Sequence, residues 1–335
     1  MKLRPILGIT IGDPAGIGPE ITLKALTNKE IYQQSRPLVI GSLIVMEKIS
    51  EICNIDCVFN RVTSPTDGRY EVGIVDVYDI EIDPLNHFTM GKVQSECGQA
   101  AFMYITKAVN LANDGEIDAI VTAPINKEAL KAAKVPYIGH TEMIADLQHA
   151  ESVMTMFLIE NTKIFFLTRH VPLIEACRQV NNKDFVLDGI KRAYKSLQNF
   201  SLKQPKLAVA GLNPHSGEGG LLGMEERNSI KPAIEQAVAN GLDVVGPVPA
   251  DSVFHFARKG AYDAVLALYH DQGHIAAKVM DFEKTVSITI GLPTLRTSVD
   301  HGTAFDIAGQ GIASEVSMLE ALKAAIKYAE IYTSK

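Results

Sequence analysis

Short apolar runs separated by helix-period segments set the pattern of this chain. Ile6 to Ile11, Leu38 to Ile40, Gly73 to Val77, Ala119 to Val121, Leu207 to Ala210, Ala264 to Leu268 and Val286 to Ile290 are punctuated by Gly, Pro and Asp. Runs this short, with β-branched residues and turn formers at their ends, read as buried strands. Between them, Asp184 to Asn199 repeats Phe185, Val186, Ile190, Tyr194 and Leu197 at helical spacing. Ser314 to Tyr328 does the same with Val316, Leu319, Leu322 and Ile326, behind Ser314 as the expected N-cap. Alternation of the two periods predicts an α/β fold with a largely parallel sheet. Met154 to Leu167 stands apart: Glu160-Asn-Thr-Lys163 in its middle predicts an antiparallel hairpin.

At 335 residues the chain exceeds the size at which one core usually stops growing, so two lobes are expected. Hydrophobic residues at 47% and charged ones at 21% give enough apolar surface for a globular enzyme and argue against disorder. The formal charge of -7, with Lys and Arg scattered along the chain, leaves no footprint for nucleic acid. Such a field repels anions, so an anionic substrate needs a local concentration of cations. Cys53, Cys57, Cys97 and Cys177 show no CxxC spacing and read as small buried hydrophobes in a reducing compartment. The opening apolar run is too short for a signal segment, and no stretch approaches the roughly 20 apolar residues of a membrane span. A cytoplasmic protein is expected.

Three histidines occupy equivalent places. His170 follows the run ending at Leu167, His215 follows Leu207 to Ala210, and His270 follows Ala264 to Leu268. Ligands of α/β sheets bind beyond the carboxyl ends of strands, where three imidazoles can share a divalent ion and leave a coordination position open. Each taken singly is equally readable as an ordinary strand-end residue, and no HExxH signature is present. Gly12-Asp-Pro-Ala-Gly-Ile-Gly-Pro-Glu20 follows the first strand and opens a helix, which predicts exposed amides at a helix N-terminus or else glycines needed only for the turn. Gly217-Glu-Gly-Gly-Leu-Leu-Gly223 offers either an anion cradle or a flexible loop. The cationic candidates are Lys278, eight residues after His270, and Arg296, beyond the strand Val286 to Ile290. A guanidinium supplies a fork and an ammonium a point charge for phosphate or carboxylate.

Together these segments resemble the 4-hydroxythreonine-4-phosphate dehydrogenase family from the first strand to the last helix. The resemblance is carried by the Gly12–Glu20 segment, Thr122-Ala-Pro-Ile-Asn-Lys127, Gly139-His-Thr-Glu142, Asn213-Pro-His-Ser-Gly-Glu218, Tyr269-His-Asp-Gln-Gly273 and Gly291-Leu-Pro-Thr-Leu-Arg-Thr-Ser-Val-Asp-His-Gly302. It implies metal ligands at His170, His215 and His270, and substrate contacts at His140, Thr141, Lys278 and Arg296. It further implies a homodimer whose active site is completed across the interface, with Asp251 facing the partner's substrate. His301 to Ala313 is similar to the adenosine-side loop of the isocitrate and isopropylmalate dehydrogenases, which makes His301 and Asp306 candidate cofactor contacts. That likeness implies two α/β lobes without a Rossmann unit, 1–125 with 286–335 as the first and 126–285 as the second, the latter carrying the dimer-forming elements.

The implied chemistry is oxidation of a secondary hydroxyl by NAD or NADP, assisted by zinc, magnesium, cobalt or nickel, followed by decarboxylation of the β-keto acid. Lys278 and Arg296 would hold the phosphate, and His140 and Asp271 are the candidates for proton transfer. Ser287 stands where the family usually carries Asn. Gly273-His-Ile275 and Phe305-Asp-Ile307 resemble the branch acting on D-threonate or D-erythronate 4-phosphate, which would yield dihydroxyacetone phosphate. The vitamin B6 substrate, 4-phosphohydroxythreonine, stays open beside it. A sugar-phosphate sensor and a transferase like the phosphate acetyltransferases are the readings from other classes, since a fold alone does not settle function.

Overall fold

The computed structural model describes residues 4–82 and 87–332. The chain divides into two compact units, Met1–Val153 with Leu292–Ser334, and Met154–Gly291. In chain order the first unit holds β1 (Ile6–Thr10), α1 (Gly18–Ala25), α2 (Lys29–Gln34), β2 (Arg36–Gly41), α3 (Leu43–Cys53), β3 (Val58–Val62), β4 (Ile74–Asp79), α4 (Ser95–Asn113), β5 (Ala119–Thr122), α5 (Lys127–Ala132) and α6 (His140–Leu147). The second unit holds β6 (Met154–Ile159), β7 (Thr162–Phe166), α7 (Leu173–Val180), α8 (Lys183–Asn199), β8 (Leu207–Ala210), α9 (Lys231–Ala239), β9 (Val244–Val248), α10 (Ala250–Arg258), β10 (Ala264–Ala267), α11 (His270–Met280) and β11 (Val286–Ile290). The chain then returns to the first unit for β12 (Leu295–Val299) and α12 (Val316–Ala329).

In the first unit the strands run β3-β4-β2-β1-β5-β12, every neighbouring pair parallel. β1, β5 and β12 are buried along their whole length, as parallel strands covered on both faces must be. In the second unit the order is β11-β6-β7-β10-β8-β9. β6 pairs antiparallel with both β11 and β7, whereas β7, β10, β8 and β9 pair parallel. The hairpin expected over Met154 to Leu167 is β6 and β7, turning at Glu160 with φ 54°.

Several expectations need correction. Three strands were not foreseen. β3 carries Asn60 and Arg61 at a sheet edge, β9 is interrupted by Gly246-Pro247, and β12 reads Leu-Arg-Thr-Ser-Val. The polar residues of β12 are tolerated in the core because each finds a partner. Thr297 Oγ1 donates to Ala321 O at 2.9 Å, Ser298 Oγ to Thr122 O at 3.2 Å, and Arg296 to Thr122 Oγ1. Arg296 does follow the strand Val286–Ile290, and it lies inside the next one, β12. Ser314 is not the N-cap of α12; that position is Glu315, in the αR region and without a side-chain cap.

The boundaries also fall later than 125/126 and 285/286. Gln148, just past α6, donates to Asn113 at the end of α4 and to Thr294, both at 3.1 Å, which ties α5 and α6 to the first unit. β11 belongs to the second unit through five register pairs with β6. Among the described residues no helix is long and apolar enough to cross a membrane.

Candidate functional site

In the second unit β7, β10 and β8 are neighbours, and the chain leaves each of them toward one of the three histidines. His170 comes four residues after β7, His270 is the first residue of α11 behind β10, and His215 lies in the turn after β8. His170 and His270 line one pocket of about 320 Å³ together with Arg169, Tyr269 and Asp271, with ring centroids 6.0 Å apart. His270 Nδ1 is 2.6 Å from Asp271 Oδ1. An imidazole donating there to a carboxylate keeps Nε2 as a lone-pair donor, the arrangement that orients histidines toward metals. The His270 ring also lies flat on His274, with centroids 3.6 Å apart and 10° between planes.

His274 is fixed in turn. Its Nδ1 lies 2.9 Å from His270 O, which can only accept, so Nδ1 carries the hydrogen. Its ring packs on Phe157 and Phe166, with centroids at 4.6 and 4.3 Å. That burial, with smaller contributions from His270 and Lys278, lowers its pKa to about 4. Among the described residues no group of three His, Cys, Asp or Glu side chains stands ready as a metal cage. The donor chemistry nonetheless fits a borderline divalent ion: His170 and His215 are exposed, His270 is half-buried, and all three follow adjacent strands.

Among the described residues the turn that carries His215 has the longest run of positive φ. His215, Ser216, Gly217, Glu218 and Gly219 all have positive φ, at 50°, 54°, 78°, 43° and 69°. The left-handed region costs a non-glycine residue roughly 1–2 kcal/mol, and three of the five are not glycine. Gly217 to Gly219, the first part of the glycine-rich stretch, thus belongs to a left-handed turn. Beneath it, Glu226 Oε1 accepts from the amides of Leu212 at 2.8 Å and Asn213 at 2.6 Å, and Oε2 accepts from Asn213 Nδ2 at 2.8 Å. Glu226 is a functional candidate that the sequence did not yield, because Glu-Glu-Arg-Asn reads as a solvated helix start.

The remaining candidates of the second unit are dispersed. Lys278 is on α11 with Nζ 4.4 Å over the Phe282 ring. Ser287 is half-buried on β11, directly opposite Phe157 of β6. Asp251 is exposed in the first turn of α10, beside an open groove of about 540 Å³ lined also by Phe254, Ile275 and Val279.

In the first unit Arg296 is 4% exposed, and its Nε and Nη2 donate to Thr122 Oγ1 at 3.1 and 2.6 Å. Burial lowers its pKa to about 10 against the opposing pull of Glu142 and Asp300, so the guanidinium stays charged at neutral pH. His140 is the first residue of α6 behind Gly139, and Thr141 follows it. His140 Nε2 is buried with no hydrogen-bond partner. Burial first and the Arg296 charge second push its pKa well below the usual imidazole value. A neutral imidazole with an orphaned nitrogen, beside a buried cation, is a preformed place for an anionic, hydroxyl-bearing ligand, since buried polar atoms otherwise find partners.

The Gly12–Glu20 segment does not present open amides. All of its residues are buried, and the N–H groups of Asp13, Ala15, Gly16 and Ile17 are taken by Pro124 O, Asp13 Oδ1, Asp13 O and Thr303 O. Gly12 serves the turn, with φ 71° and no room for a Cβ, which would meet Pro124 O at 2.2 Å. Asp13 is itself buried, with Oδ2 unpartnered, and burial raises its carboxyl to about 6. In the 301–313 loop, His301 Nδ1 is 3.0 Å from Gly302 O, and Asp306 O accepts from Gln310 Nε2 at 2.8 Å. The loop is pinned to α1 by Lys24 Nζ, which donates to Gly311 O, Ala313 O and Glu20.

Comparison with known proteins follows the same lines. The family described as "Pyridoxal phosphate biosynthetic protein PdxA" matches residues 33–325. A protein of Halalkalibacterium halodurans named "Putative D-threonate 4-phosphate dehydrogenase" is 57% identical over 331 residues, covering 98% of each chain. A solved 4-hydroxythreonine-4-phosphate dehydrogenase from Burkholderia phymatum superposes with TM-score 0.85 and 42% identity over 100% of both chains. One from Klebsiella pneumoniae gives TM-score 0.90 and 37% identity over 98% of this chain and 99% of its own. With so much of its length matched in sequence and fold, the chain belongs to the PdxA family of pyridoxal phosphate biosynthetic proteins, which includes the 4-hydroxythreonine-4-phosphate dehydrogenases.

Proposed function

We propose that the chain is a nicotinamide-dependent dehydrogenase of a four-carbon hydroxy acid 4-phosphate, with D-threonate 4-phosphate as the first reading and its D-erythronate epimer beside it. The observation that carries this choice is the gradient of identity: 57% to the relative named for D-threonate 4-phosphate, against 42% and 37% to the solved 4-hydroxythreonine-4-phosphate dehydrogenases. The second reading, 4-phosphohydroxythreonine, is favoured by those structures' names. In the first reading the C3 hydroxyl loses its proton and the C3 hydrogen leaves as hydride; the C1–C2 bond of the 3-keto acid then breaks, releasing carbon dioxide, and the resulting enolate takes a proton at C2 to give dihydroxyacetone phosphate.

His170, His215 and His270 are the residues that would hold a divalent ion, whose chemistry there is Lewis-acid polarisation of a substrate oxygen. His301 and Asp306 are the residues that would contact NAD or NADP, whose chemistry there would be hydride acceptance. Asp271 holds the His270 ring through Nδ1, and its exposed carboxylate is also a proton acceptor. Arg296 supplies a fixed charge for an anionic group of the substrate, and Lys278 is the second cation assigned to phosphate. Neutral His140 exchanges hydrogen bonds with the substrate through Nε2 without adding charge, and Thr141 and Ser287 are further contacts. Ser287, shorter than Asn, leaves more room beside its substrate. A homodimer, with Asp251 turned to the partner's substrate, completes the reading.

The test is nicotinamide reduction followed by absorbance in metal-supplemented buffer with the three acid phosphates. Turnover on D-threonate or D-erythronate 4-phosphate well above that on 4-phosphohydroxythreonine supports the first reading, and the reverse order supports the second. No reduction with any of them removes the dehydrogenase reading in favour of a sensor or transferase.

A further inference from the structure

We propose that Glu226 is a positioning residue for His215, holding the left-handed turn in the one conformation that presents this imidazole as a ligand. The inference rests on the reading of His215 as a metal ligand. Five successive residues with φ between 43° and 78° do not persist unless their surroundings over-determine them. The surroundings here converge on Glu226, which takes both backbone amides at the entrance of the turn, while Glu225 Oε2 takes the Asn213 side chain, accepting from Nδ2 at 2.7 Å. Glu226 opens a short π-helical segment, Glu226–Ile230, that runs into α9, so its backbone is fixed by a helix of the core. Its side chain is buried and accepts three hydrogen bonds, two from the amides of Leu212 and Asn213 where the chain enters the turn and one from Asn213 Nδ2.

The carboxylate also lies directly under the turn, because a Cβ on Gly217 would sit 2.8 Å from Glu226 Oε2. Ser216 N returns to Asn213 O at 3.1 Å and Leu222 N to Gly217 O at 3.1 Å, closing the turn above the clamp. His215 is exposed, so side-chain packing does little to aim its ring. Its direction comes from the backbone, and the backbone is held by Glu226. Groups one shell away from a metal ligand act this way, and their loss costs metal affinity.

The experiment is a Co2+ titration followed by visible absorption in the wild-type chain and in H215A, E226Q, N213A, E218G and the E226Q/E218G pair. E226Q should bind Co2+ roughly 10–100-fold more weakly while keeping the far-ultraviolet dichroism of the wild type. N213A, which removes one donor and leaves both backbone amides, should weaken binding by a smaller factor. Glycine at exposed position 218, where φ is 43°, removes part of the strain, so E218G in the E226Q background should restore binding roughly tenfold. Wild-type affinity in E226Q with loss in H215A overturns the inference, as does a loss that E218G leaves uncorrected. Should E226Q fail to fold, unchanged affinity in N213A overturns it equally. Undiminished Co2+ binding in H215A removes instead the metal reading beneath it.

Discussion

The two units keep their candidate residues in opposite ways. In the first, Arg296 is 4% exposed, bonded to Thr122 and beside a His140 kept neutral. In the second, His170 and His215 are exposed, and the His270 side chain is 40% exposed. The first unit obtains its electrostatics from burial, which fixes charge states before any ligand arrives. The second sets the directions of its proposed ligands by backbone geometry and by neighbours such as Asp271 and His274. Buried charge is sensitive to loss of a partner, whereas an exposed ligand set can be removed with little effect on stability. The contrast separates residues whose loss harms function alone from residues whose loss touches the fold as well.

The sharpest way to break this contrast is His215→Ala. It should abolish metal-supported turnover while leaving the unfolding midpoint of the metal-free chain within about 0.5 kcal/mol of wild type, as expected of an exposed residue. Kinetics and urea denaturation read the two halves separately, and a large loss of stability would contradict the exposed-ligand picture.

Arg296→Met comes next. Truncating one member of a buried, hydrogen-bonded charge arrangement typically costs about 2–5 kcal/mol, so kcat/KM should fall by roughly 30- to 5,000-fold. The Lys variant should recover only part, because the fork onto Thr122 and the ligand is lost. The same substitution sharpens the account of His140. Without the Arg296 charge its pKa should rise, but only partly, since burial is the larger cause; the ring proton shifts of His140 against pH will show this. His140 holds its folded pKa below the unfolded value, so it lowers stability as pH falls beneath that of free histidine.

The smallest effect concerns Asp13, with the opposite sign. Its folded carboxyl titrates at about 6 against 3.8 in the unfolded chain, so its contribution is fully present below pH 3.8 and is lost as pH rises through 6. Between pH 7 and pH 5 the wild type should gain about 1 kcal/mol from this group. Urea melts of Asp13→Asn at the two pH values should lack that gain; an equal gain in the mutant would show that the carboxyl titrates normally.

Much of this arrangement was legible in the sequence. Short apolar runs marked most of the strands, and the three strand-end histidines could be placed because a residue just past a buried run has little choice of position. What escaped depended on partners distant along the chain. Arg296 looked like a residue beyond a strand because Leu-Arg-Thr-Ser-Val reads as polar, and its burial is made tolerable by Thr122, 174 residues away. Gly217 to Gly223 reads as a flexible loop until Glu226 is found beneath it. The amides of Asp13 and Ile17 read as open because their acceptors, Pro124 O and Thr303 O, are invisible in a local motif.

The return of the chain to its first unit for β12 has a consequence during synthesis. On the ribosome, the whole of 154–291 emerges before Leu295–Val299 exists, so the second unit can mature while the first still lacks the strand that pairs with β5. Until then β5, Ala-Ile-Val-Thr, presents an unpaired strand edge, the kind of surface that invites association with other nascent chains. The last helix and strand to be made are therefore the ones that end the chain's most aggregation-prone interval.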